Sequence, residues 1–218
     1  MNAASARAKP QTSAVLFDLG GVLIDWNPRH LYRGLFGDDR DGMEEFLATV
    51  CTPAWNLEQD RGRPFSEGIA LLCRRFPQHR EMITAFRERW EEMVAGDIPD
   101  NVALLRRITD AGRGVFAITD WSAETFPLVR RRFPFLDLFD GIVVSGEEGF
   151  LKPSAEIFGV ARTRFGLDPA TTTFVDDSRE NYHGARRLGY DAIHYKNPGQ
   201  LREELAARGW PVGGPDDG

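Results

Sequence analysis

AVLFDLGG, residues 14–21, is the stretch of this sequence that decides the fold. Ala14–Leu19 is a near-continuous apolar run that contains one carboxylate, Asp18, and ends at a pair of glycines. A short apolar run of this kind is typical of a parallel strand that is buried on both faces. We therefore predict that Ala14–Leu19 is the first strand of a parallel sheet.

Strand and helix patterns alternate along the chain on both sides of one insertion. Further strands are predicted at short runs rich in β-branched or aromatic residues: Gly114–Thr119, Gly141–Gly146, Thr172–Asp176 and the less regular Tyr190–His194. Helical patterns that end at glycines lie between them: DNVALLRRITDAG with Asp100 as its N-cap, KPSAEIFGVARTRFG from Lys152, and RENYHGARRLG from Arg179. This alternation predicts an α/β fold, a Rossmann-like doubly wound parallel sheet.

Residues 27–98 interrupt the alternation. They contain no convincing strand, and helical periodicity is present in the segments Gly42–Val50, Phe65–Phe76 and Glu81–Val94. We predict that they form a helical cap domain inserted into a Rossmann-like catalytic core made of residues 13–26 and 99–210. The two connections, near Asp25–Pro28 and Gly96–Pro99, contain the Pro, Gly and Asp residues that hinge-like linkers favour.

The composition favours a globular protein that binds small ligands. The chain has 218 residues, of which 42% are apolar and 11% aromatic, and this excludes a disordered polymer. It carries 27 Lys and Arg residues against 33 Asp and Glu residues, a net charge of −6. A mildly acidic chain without a basic stripe is poorly suited to neutralising nucleic-acid phosphates. We expect a small-molecule substrate, no nucleic-acid partner, and either a monomer or a homodimer.

The two termini of the sequence and its cysteines indicate the cellular compartment. Residues 1–12 lack the apolar core of a secretory signal, and residues 211–218 are rich in Pro, Gly and Asp, so both are expected to be disordered tails. No run approaches the roughly 20 apolar residues of a membrane helix, so no membrane partner is expected. Cys51 and Cys73 lack C-x-x-C spacing, and two thiols in a chain of this length indicate a reducing compartment. We expect a cytoplasmic protein.

Polar side chains stand at the ends of the predicted strands. Asp18 ends the first strand, where a buried carboxylate needs a cation or a donor, and Gly20–Gly21 leaves room beside it for a ligand or metal. Thr119 ends the second strand and is followed by Asp120 and Trp121. Taken alone, Asp18 also fits a turn and Thr119 an ST-turn. Because the carboxyl ends of parallel strands share one edge, we expect these residues to line one ligand site.

Two further positions add charge to the same edge. Lys152 stands before Pro153 at a predicted helix start, where the helix dipole disfavours a cation unless an anion lies nearby; a solvated lysine is the alternative. Asp176 and Asp177 end the fourth strand side by side, and adjacent carboxylates repel unless a hard cation collects them, which favours a Mg²⁺ site. Their alternative role is to cap the next helix with Ser178. The whole set suits phosphoryl chemistry on a metal.

The motifs that carry these residues resemble those of a known group. In order, FDLGGVLID, AITDWS, GFLKPSAEIF and FVDDSRENYHGA are similar to the four motifs of the haloacid dehalogenase-like (HAD) hydrolase superfamily, and the insertion resembles its small α-helical cap. The resemblance implies that Asp18 is the nucleophile, Thr119 the hydroxyl donor to phosphate and Lys152 the charge-neutralising lysine.

The same resemblance implies a metal site. Mg²⁺ would be held by Asp18, by the backbone carbonyl of Gly20 and by Asp177, with Asp176 in support. In-line attack by Asp18 on a phosphate ester would then give an aspartyl-phosphate.

Gly20 departs from the usual pattern. Most phosphatases of this superfamily have a second Asp at this position, which protonates the leaving oxygen and then activates water, and such acid–base help contributes roughly 10²–10⁴-fold in rate. The DLGG motif resembles that of the sugar-1-phosphate (glucose-1-phosphate) phosphatase branch. We therefore expect a small phosphorylated metabolite, with a sugar phosphate as the leading class, and Asp120 is a conceivable substitute base.

Two other functions stay open. A 2-haloacid dehalogenase would use the same Asp to attack carbon, but such enzymes resemble a pattern with Tyr in place of Gly20, a largely uncharged fourth motif, and Asp where this chain has Asn181. The pair Asp176–Asp177 argues for a metal instead. A non-catalytic phosphate- or metal-binding protein that lost turnover through Gly20 is the third possibility.

The cap offers candidates for specificity in WNLEQDRGRPF, residues 55–65. Candidates for substrate binding are Trp55, Glu58, Asp60 and Arg61, together with Asp120 and Trp121 of the core. It is at least as plausible that the Trp packs in the cap core and that the charges form a solvated face. The histidines are scattered without ligand spacing, and we assign them no catalytic role.

Overall fold

The computed structural model describes residues 14–213. Its strands are β1 Ala14–Phe17, β2 Ile24–Trp26, β3 Val94–Asp97, β4 Gly114–Thr119, β5 Gly141–Val144, β6 Thr172–Asp176 and β7 Asp191–His194. Its helices are α1 Pro28–Phe36, α2 Arg40–Thr49, α3 Pro53–Asp60, α4 Phe65–Arg75, α5 Arg80–Glu88, α6 Pro99–Asp110, α7 Phe126–Arg132, α8 Ser145–Glu148, α9 Ala155–Phe165, α10 Arg179–Arg187 and α11 Pro198–Ala207. Within residues 14–213, none of these helices combines the length and the apolar character needed to cross a membrane.

Five strands form one parallel sheet in the order β5-β4-β1-β6-β7. β1 lies at the centre, where Phe17 pairs with Ala117 of β4 on one side and with Val175 of β6 on the other. Neighbouring β1 residues face opposite layers, since Val15 belongs to one hydrophobic cluster and Leu16 to the other. The predicted Rossmann-like doubly wound sheet is therefore confirmed, and Asp18 follows its central strand at the carboxyl edge.

Two boundaries in the core differ from the sequence prediction. The predicted strand Gly141–Gly146 ends at Val144, because the next residue begins the short helix α8. The helix expected to be capped by Asp100 begins at Pro99, and Ile98 occupies the cap position without a side-chain hydrogen bond. Asp100 instead lies in the first turn, where a negative charge interacts favourably with the helix dipole.

The position predicted for Lys152 at a helix start is also wrong. α9 begins at Ala155, and the side chain of Ser154 caps it by accepting the backbone N–H of Ile157. Lys152 lies in the loop before this cap. Its environment is therefore set by groups other than the helix dipole.

The insertion carries α1–α5 and is joined to the core by a two-stranded antiparallel sheet of β2 and β3, in which Ile24 pairs with Asp97. The prediction that residues 27–98 contain no strand is thus wrong. The two connections expected to be hinge-like linkers are hydrogen-bonded to each other. The helical pattern Glu81–Val94 ends at Glu88, since a 3₁₀ turn and then β3 follow.

The predicted tails lie mostly outside the described residues, namely residues 1–12 and 214–218. The described part of the C-terminal stretch is packed, which corrects the expectation for residues 211–213. Val212 is buried, and its carbonyl accepts a hydrogen bond from Arg107. The preceding helix α11, which no sequence pattern predicted, brings this stretch back onto the sheet layer, where the indole N–H of Trp210 donates to Thr173.

Candidate active site

The carboxyl ends of three strands bring the predicted polar residues together. Asp18 follows β1, Thr119 ends β4 and Asp176 ends β6, and all three are buried. Because Phe17 pairs with Val175, the parallel register sets Asp18 level with Asp176. The backbone N–H of Asp18 donates to the carbonyl of Val175 at 2.8 Å, which fixes the end of the central strand.

Lys152 reaches this edge from the loop after α8. Its Nζ lies 2.9 Å from Oδ2 of Asp18 and 2.8 Å from Oδ2 of Asp176. Burial opposes the charge on the lysine, but the carboxylates of Asp176 and Asp18 outweigh burial and raise the pKa of Lys152 above its usual value. Lys152 is therefore an ammonium ion shared by two carboxylates.

Asp18 has the opposite balance. Burial raises the pKa of its carboxyl well above the usual value, the ammonium of Lys152 opposes this shift, and the nearby Asp176 and Asp177 add to it. One ammonium thus lies among three neighbouring carboxylates and contacts two of them, Asp18 and Asp176. A further cation at this edge would favour the ionised form of Asp18.

Both side-chain oxygens of Asp176 accept hydrogen bonds from neighbouring groups. Its Oδ1 accepts the backbone N–H of Ser178 at 2.8 Å, both oxygens accept from Nδ2 of Asn181 at 3.1 Å, and Oδ2 also accepts from Lys152. Ser178 caps α10 by accepting the backbone N–H of Asn181. Since Ser178 provides the cap, the capping alternative for Asp176 and Asp177 loses its support.

The carboxylates fit a hard divalent cation. Asp18, Asp176 and Asp177 offer oxygens that all lie within 4.8 Å of one another, and carboxylate oxygens are the ligands that Mg²⁺ prefers. Gly21 leaves the space for Asp177, because a Cβ at Gly21 would lie 2.4 Å from Oδ2 of Asp177. Its φ of 74° also favours glycine. Gly20, the predicted carbonyl ligand, lines the same cavity as Asp18.

Two buried donors at this edge have no hydrogen-bond partner within residues 14–213: the hydroxyl of Thr119 and the indole N–H of Trp121. Thr119 is 1% exposed. Trp121 lines the cavity beside Asp18, and Thr119 ends β4 at the same edge. Leaving a buried polar group unpaired costs about 1–3 kcal/mol, so unpaired donors at this edge point to a bound ligand. An oxyanion would satisfy the hydroxyl of Thr119.

A cavity of about 160 Å³ opens beside Asp18. Asp120 and Trp121, which were predicted to bind substrate, both line it. Oδ1 of Asp120 also accepts the backbone N–H of Lys152 at 3.0 Å, which ties the lysine loop to the end of β4. Burial raises the pKa of Asp120, and Lys152 opposes this shift.

Of the four cap residues expected at the site, only Asp60 lines the cavity. Trp55 is buried in the cap core, where its indole N–H donates to the carbonyl of Gly68 at 3.2 Å and its ring meets Phe86 edge-on at 5.0 Å. Glu58 and Arg61 are exposed and lie 3.9 Å apart. None of the three lines the cavity, so the structure favours packing for Trp55 and a solvated face for Glu58 and Arg61.

The inner face of α3 is formed by Asn56 and Asp60, one helical turn apart, and both line the cavity. Nδ2 of Asn56 donates to Oδ2 of Asp60 at 2.7 Å. Asp60 was a sequence candidate, whereas Asn56 was missed. The spacing of these two polar residues, i and i+4 in a short helix, is the signal that identifies them. Cavity residues with no such signal are Trp26, Trp90 and Thr125.

A larger cavity of about 650 Å³ adjoins the first along the cap. The two cavities share Trp26, Asn56, Asp60 and Asp120. Most of the remaining lining is apolar: Pro28, Leu47, Ala48, Cys51, Pro53, Leu57 and Phe86. Arg29 and Glu44 on its wall form an ion pair with 2.6 Å between their atoms. The wall next to the catalytic cavity is thus largely apolar.

One sequence relative is named a phosphatase. The chain is 29% identical to the sesquiterpene phosphatase astK of Aspergillus oryzae over 185 residues, which cover 83% of this chain and 88% of that protein.

Solved structures share the fold. The HAD family enzyme bt-2542 from Bacteroides thetaiotaomicron, in complex with magnesium and inorganic phosphate, matches with a TM-score of 0.63 and 22% identity, over 85% of this chain and 94% of that one. L-2-haloacid dehalogenase from Xanthobacter autotrophicus, with chloropropionic acid covalently bound, matches with a TM-score of 0.59 and 16% identity, over 90% and 83% of the two chains. The profile of the haloacid dehalogenase-like hydrolases matches residues 12–189. This chain therefore belongs to the haloacid dehalogenase-like hydrolase family.

Proposed function

We propose that this chain is a Mg²⁺-dependent phosphatase that hydrolyses a small phosphate monoester through an aspartyl-phosphate on Asp18. The observation that carries the proposal is the position of the Lys152 ammonium, 2.9 Å from Asp18 and 2.8 Å from Asp176, at an edge where three carboxylates converge. A nucleophile, a fixed cation and ligands for a second cation are what an anionic phosphoryl group requires.

Electrostatic repulsion explains why a carboxylate nucleophile needs cations beside it. A carboxylate that approaches a phosphate oxygen meets a repulsion of about 4 kcal/mol per charge pair at 4 Å and an effective dielectric near 20. Mg²⁺, held by Asp18, Asp177 and the carbonyl of Gly20, would neutralise charge on the phosphoryl oxygens. Lys152 holds the Asp18 carboxylate in place, and its charge offsets the remaining repulsion.

The reaction then follows from the residues at the edge. Asp18 attacks phosphorus in line with the ester oxygen, so that a P–O bond to Asp18 forms while the bond to the alcohol breaks. The unpaired hydroxyl of Thr119 donates to a phosphoryl oxygen. Water then attacks phosphorus, and the release of inorganic phosphate restores Asp18.

The rival reaction, dehalogenation, receives less support from the residues. The side-chain amide of Asn181 donates to both oxygens of Asp176, and an amide cannot serve as the base for ester hydrolysis. The exposed Asp177 beside Gly21 has no role in a reaction without a metal. The similarities to the dehalogenase of Xanthobacter autotrophicus and to bt-2542 both concern the fold, whereas the sequence relative astK, a sesquiterpene phosphatase, supports phosphoryl chemistry.

We further propose that the alcohol part of the substrate is uncharged and largely apolar. The 650 Å³ cavity that adjoins the site presents side chains such as Leu47, Pro53 and Leu57, which offer no hydrogen bonds to a polyol. The carboxylate of Asp120 at the junction disfavours a second anionic group. A sugar phosphate, which the motif around Gly20 suggests, is the alternative. The name of the relative astK supports the apolar class.

The reaction is tested by phosphate release from an activated aryl phosphate. Wild-type protein should release phosphate only with Mg²⁺, and Asp18→Asn should release none. Chloride release from a 2-chloro acid would identify a dehalogenase, and the absence of both products would identify a non-catalytic binding protein.

The substrate class is tested with a panel of monophosphates. We expect kcat/KM to rise along a series of alkyl and isoprenoid phosphates and to stay low for sugar phosphates. The reverse order would refute the apolar class while leaving the phosphatase proposal intact.

A further inference from the structure

Gly20 leaves the nucleophile without the neighbouring acid–base group, yet the cavity beside Asp18 holds a carboxyl group from the cap. Asp60, the last residue of α3, lines this cavity together with Asp18 and Gly20. It is 9% exposed, and its Oδ2 accepts the amide of Asn56 at 2.7 Å. A buried carboxyl in the wall of a reaction cavity is a candidate for proton transfer.

The backbone of Asp60 is fixed to the catalytic core. The hydroxyl of Ser145 donates to the carbonyl of Asp60 at 2.5 Å and accepts the backbone N–H of Trp121 at 2.8 Å. The backbones of the cap and the core also approach closely two residues later, since a Cβ at Gly62 would lie 3.2 Å from the carbonyl oxygen of Gly146. The end of α3 is therefore held against the loop that follows β4 and against the start of α8. These contacts fix the backbone of Asp60 beside the cavity that it lines together with Asp18.

We infer that Asp60 is the general acid and base of the reaction and takes the place of the group missing at Gly20. The inference rests on the proposed phosphatase function. In the first step the Asp60 carboxyl gives its proton to the ester oxygen as the bond from phosphorus to the alcohol breaks and the bond to Asp18 forms. In the second step the Asp60 carboxylate takes a proton from the water that attacks phosphorus. The bond to Asp18 breaks, phosphate leaves, and Asp60 is ready for the next turnover.

The surroundings of Asp60 suit an acid. Burial raises the pKa of its carboxyl well above the usual value, the facing carboxylate of Asp120 adds to the shift, and a hydrogen bond from the Ser122 backbone opposes it. At Asp120, by contrast, the charges of Lys152 and Arg61 both lower the pKa and so oppose the effect of burial. Asp120 is therefore the poorer acid, and it is also engaged by the backbone of Lys152.

A comparison of two leaving groups distinguishes an acid–base role of Asp60 from a structural role. A phenolate leaves an activated aryl phosphate without a proton, whereas an alkoxide does not. In Asp60→Asn we expect the rapid first release of phenol, one per enzyme, to persist, followed by steady turnover that is slower by roughly 10²–10⁴-fold because no base activates water. With an alkyl phosphate the first release of alcohol should slow by a similar factor. Glu58→Gln, on the exposed face of the same helix, is the matched control.

A second substitution turns the test into a rescue. Gly20 accepts a side chain, because its Cβ would lie 3.5 Å from Trp121 and its φ is not positive. Gly20→Asp combined with Asp60→Asn should restore alkyl-phosphate turnover. The assignment would be overturned if Asp60→Asn slowed the first release of phenol and of alcohol equally, or slowed neither. It would also be overturned if Asp120→Asn, and not Asp60→Asn, slowed the first release of alcohol alone. Loss of wild-type phosphate release altogether would refute the phosphatase function itself.

The wild-type protein provides a measurement that needs no substitution. The first release of alcohol from an alkyl phosphate should fall as pH rises through the raised pKa of Asp60, because the protonated acid is lost. The first release of phenol from an aryl phosphate, which needs no proton, should not fall over that range. Identical pH profiles for the two substrates would contradict the role of Asp60.

Discussion

Aspartate side chains at the carboxyl edge of the sheet and on the inner face of the cap are both buried, but within residues 14–213 only those at the edge contact a cation. At the edge, Asp18 and Asp176 share the ammonium of Lys152, which opposes the effect of burial on Asp18. In the cap, the charge of Asp120 adds to the effect of burial on Asp60. Burial raises the pKa of both carboxyl groups, so what differs is the charge of a neighbour: an ammonium opposes the rise at Asp18, whereas a second carboxylate adds to it at Asp60. In the proposed mechanism, Mg²⁺ bound at Asp18 would favour the ionised nucleophile further, while Asp60 would keep its proton as the acid.

The largest effect is expected when the ammonium shared by Asp18 and Asp176 is removed. In Lys152→Met, Asp18 and Asp176 stay buried without their ammonium, and breaking a buried ion pair costs about 3–5 kcal/mol in the free energy of unfolding. Urea unfolding without Mg²⁺ measures this loss, and phosphatase activity should disappear. Lys196→Met, at an exposed lysine, is the control. A stability close to wild type in Lys152→Met would show that the ion pairs do not hold the edge together.

Gly21 tests whether the edge is shaped for a metal ligand. Gly21→Ala forces an L residue into a left-handed φ, at roughly 1–2 kcal/mol, and its Cβ displaces the carboxylate of Asp177. We expect a higher Mg²⁺ concentration for half-maximal activity in addition to lower stability. Gly34→Ala, at a helical glycine with open space around it, controls for the added methyl group. An unchanged Mg²⁺ requirement would remove Asp177 from the metal site.

Thr119 distinguishes a ligand-binding hydroxyl from a structural one. Thr119→Val removes a hydroxyl that has no partner within residues 14–213, so stability should hold while affinity for inorganic phosphate falls by about 1.5–3 kcal/mol. Product inhibition measures the affinity. Thr173→Val, which removes the acceptor of the Trp210 indole, should show the reverse pattern. Lower stability with unchanged phosphate inhibition in Thr119→Val would assign the hydroxyl to the fold.

The smallest effect is expected at Trp55. Trp55→Phe loses the hydrogen bond to the carbonyl of Gly68 and part of the packing on Phe86, so the free energy of unfolding should fall by about 1–2 kcal/mol. KM for each substrate should stay at the wild-type value. A raised KM with unchanged stability would return Trp55 to the substrate site and weaken the distinction between the two faces of α3.

The sequence predicted the edge because β-strand ends are a local signal. An apolar run followed by a polar residue marks where a buried strand ends, and parallel strands carry those ends to one place. This explains why the sequence alone predicts that Asp18, Thr119 and Asp176 lie at one edge. It predicts Lys152 there as well, but not for the right reason, since two carboxylates and not a helix dipole determine the position of its ammonium.

The cap was predicted less well because its contacts are not local. The pattern in residues 27–98 indicated helices, yet which face of α3 meets the cavity depends on how the cap docks through Ser145. The sequence therefore suggested Trp55 as a substrate-binding residue although its ring packs in the cap core, and it gave no prediction for Asn56. The short strand β3 was hidden for the same reason, because Val94–Asp97 becomes a strand only by pairing with β2.

Acid quenching during turnover of an activated aryl phosphate, followed by mass spectrometry of the peptide that contains Asp18, tests the central claim most directly. An aspartyl-phosphate mechanism predicts that this peptide gains the mass of one phosphoryl group in wild-type protein with Mg²⁺ and gains nothing in Asp18→Asn. Rapid phosphate release from an enzyme whose Asp18 peptide never carries a phosphoryl group, under conditions where the intermediate is chemically stable, would contradict it.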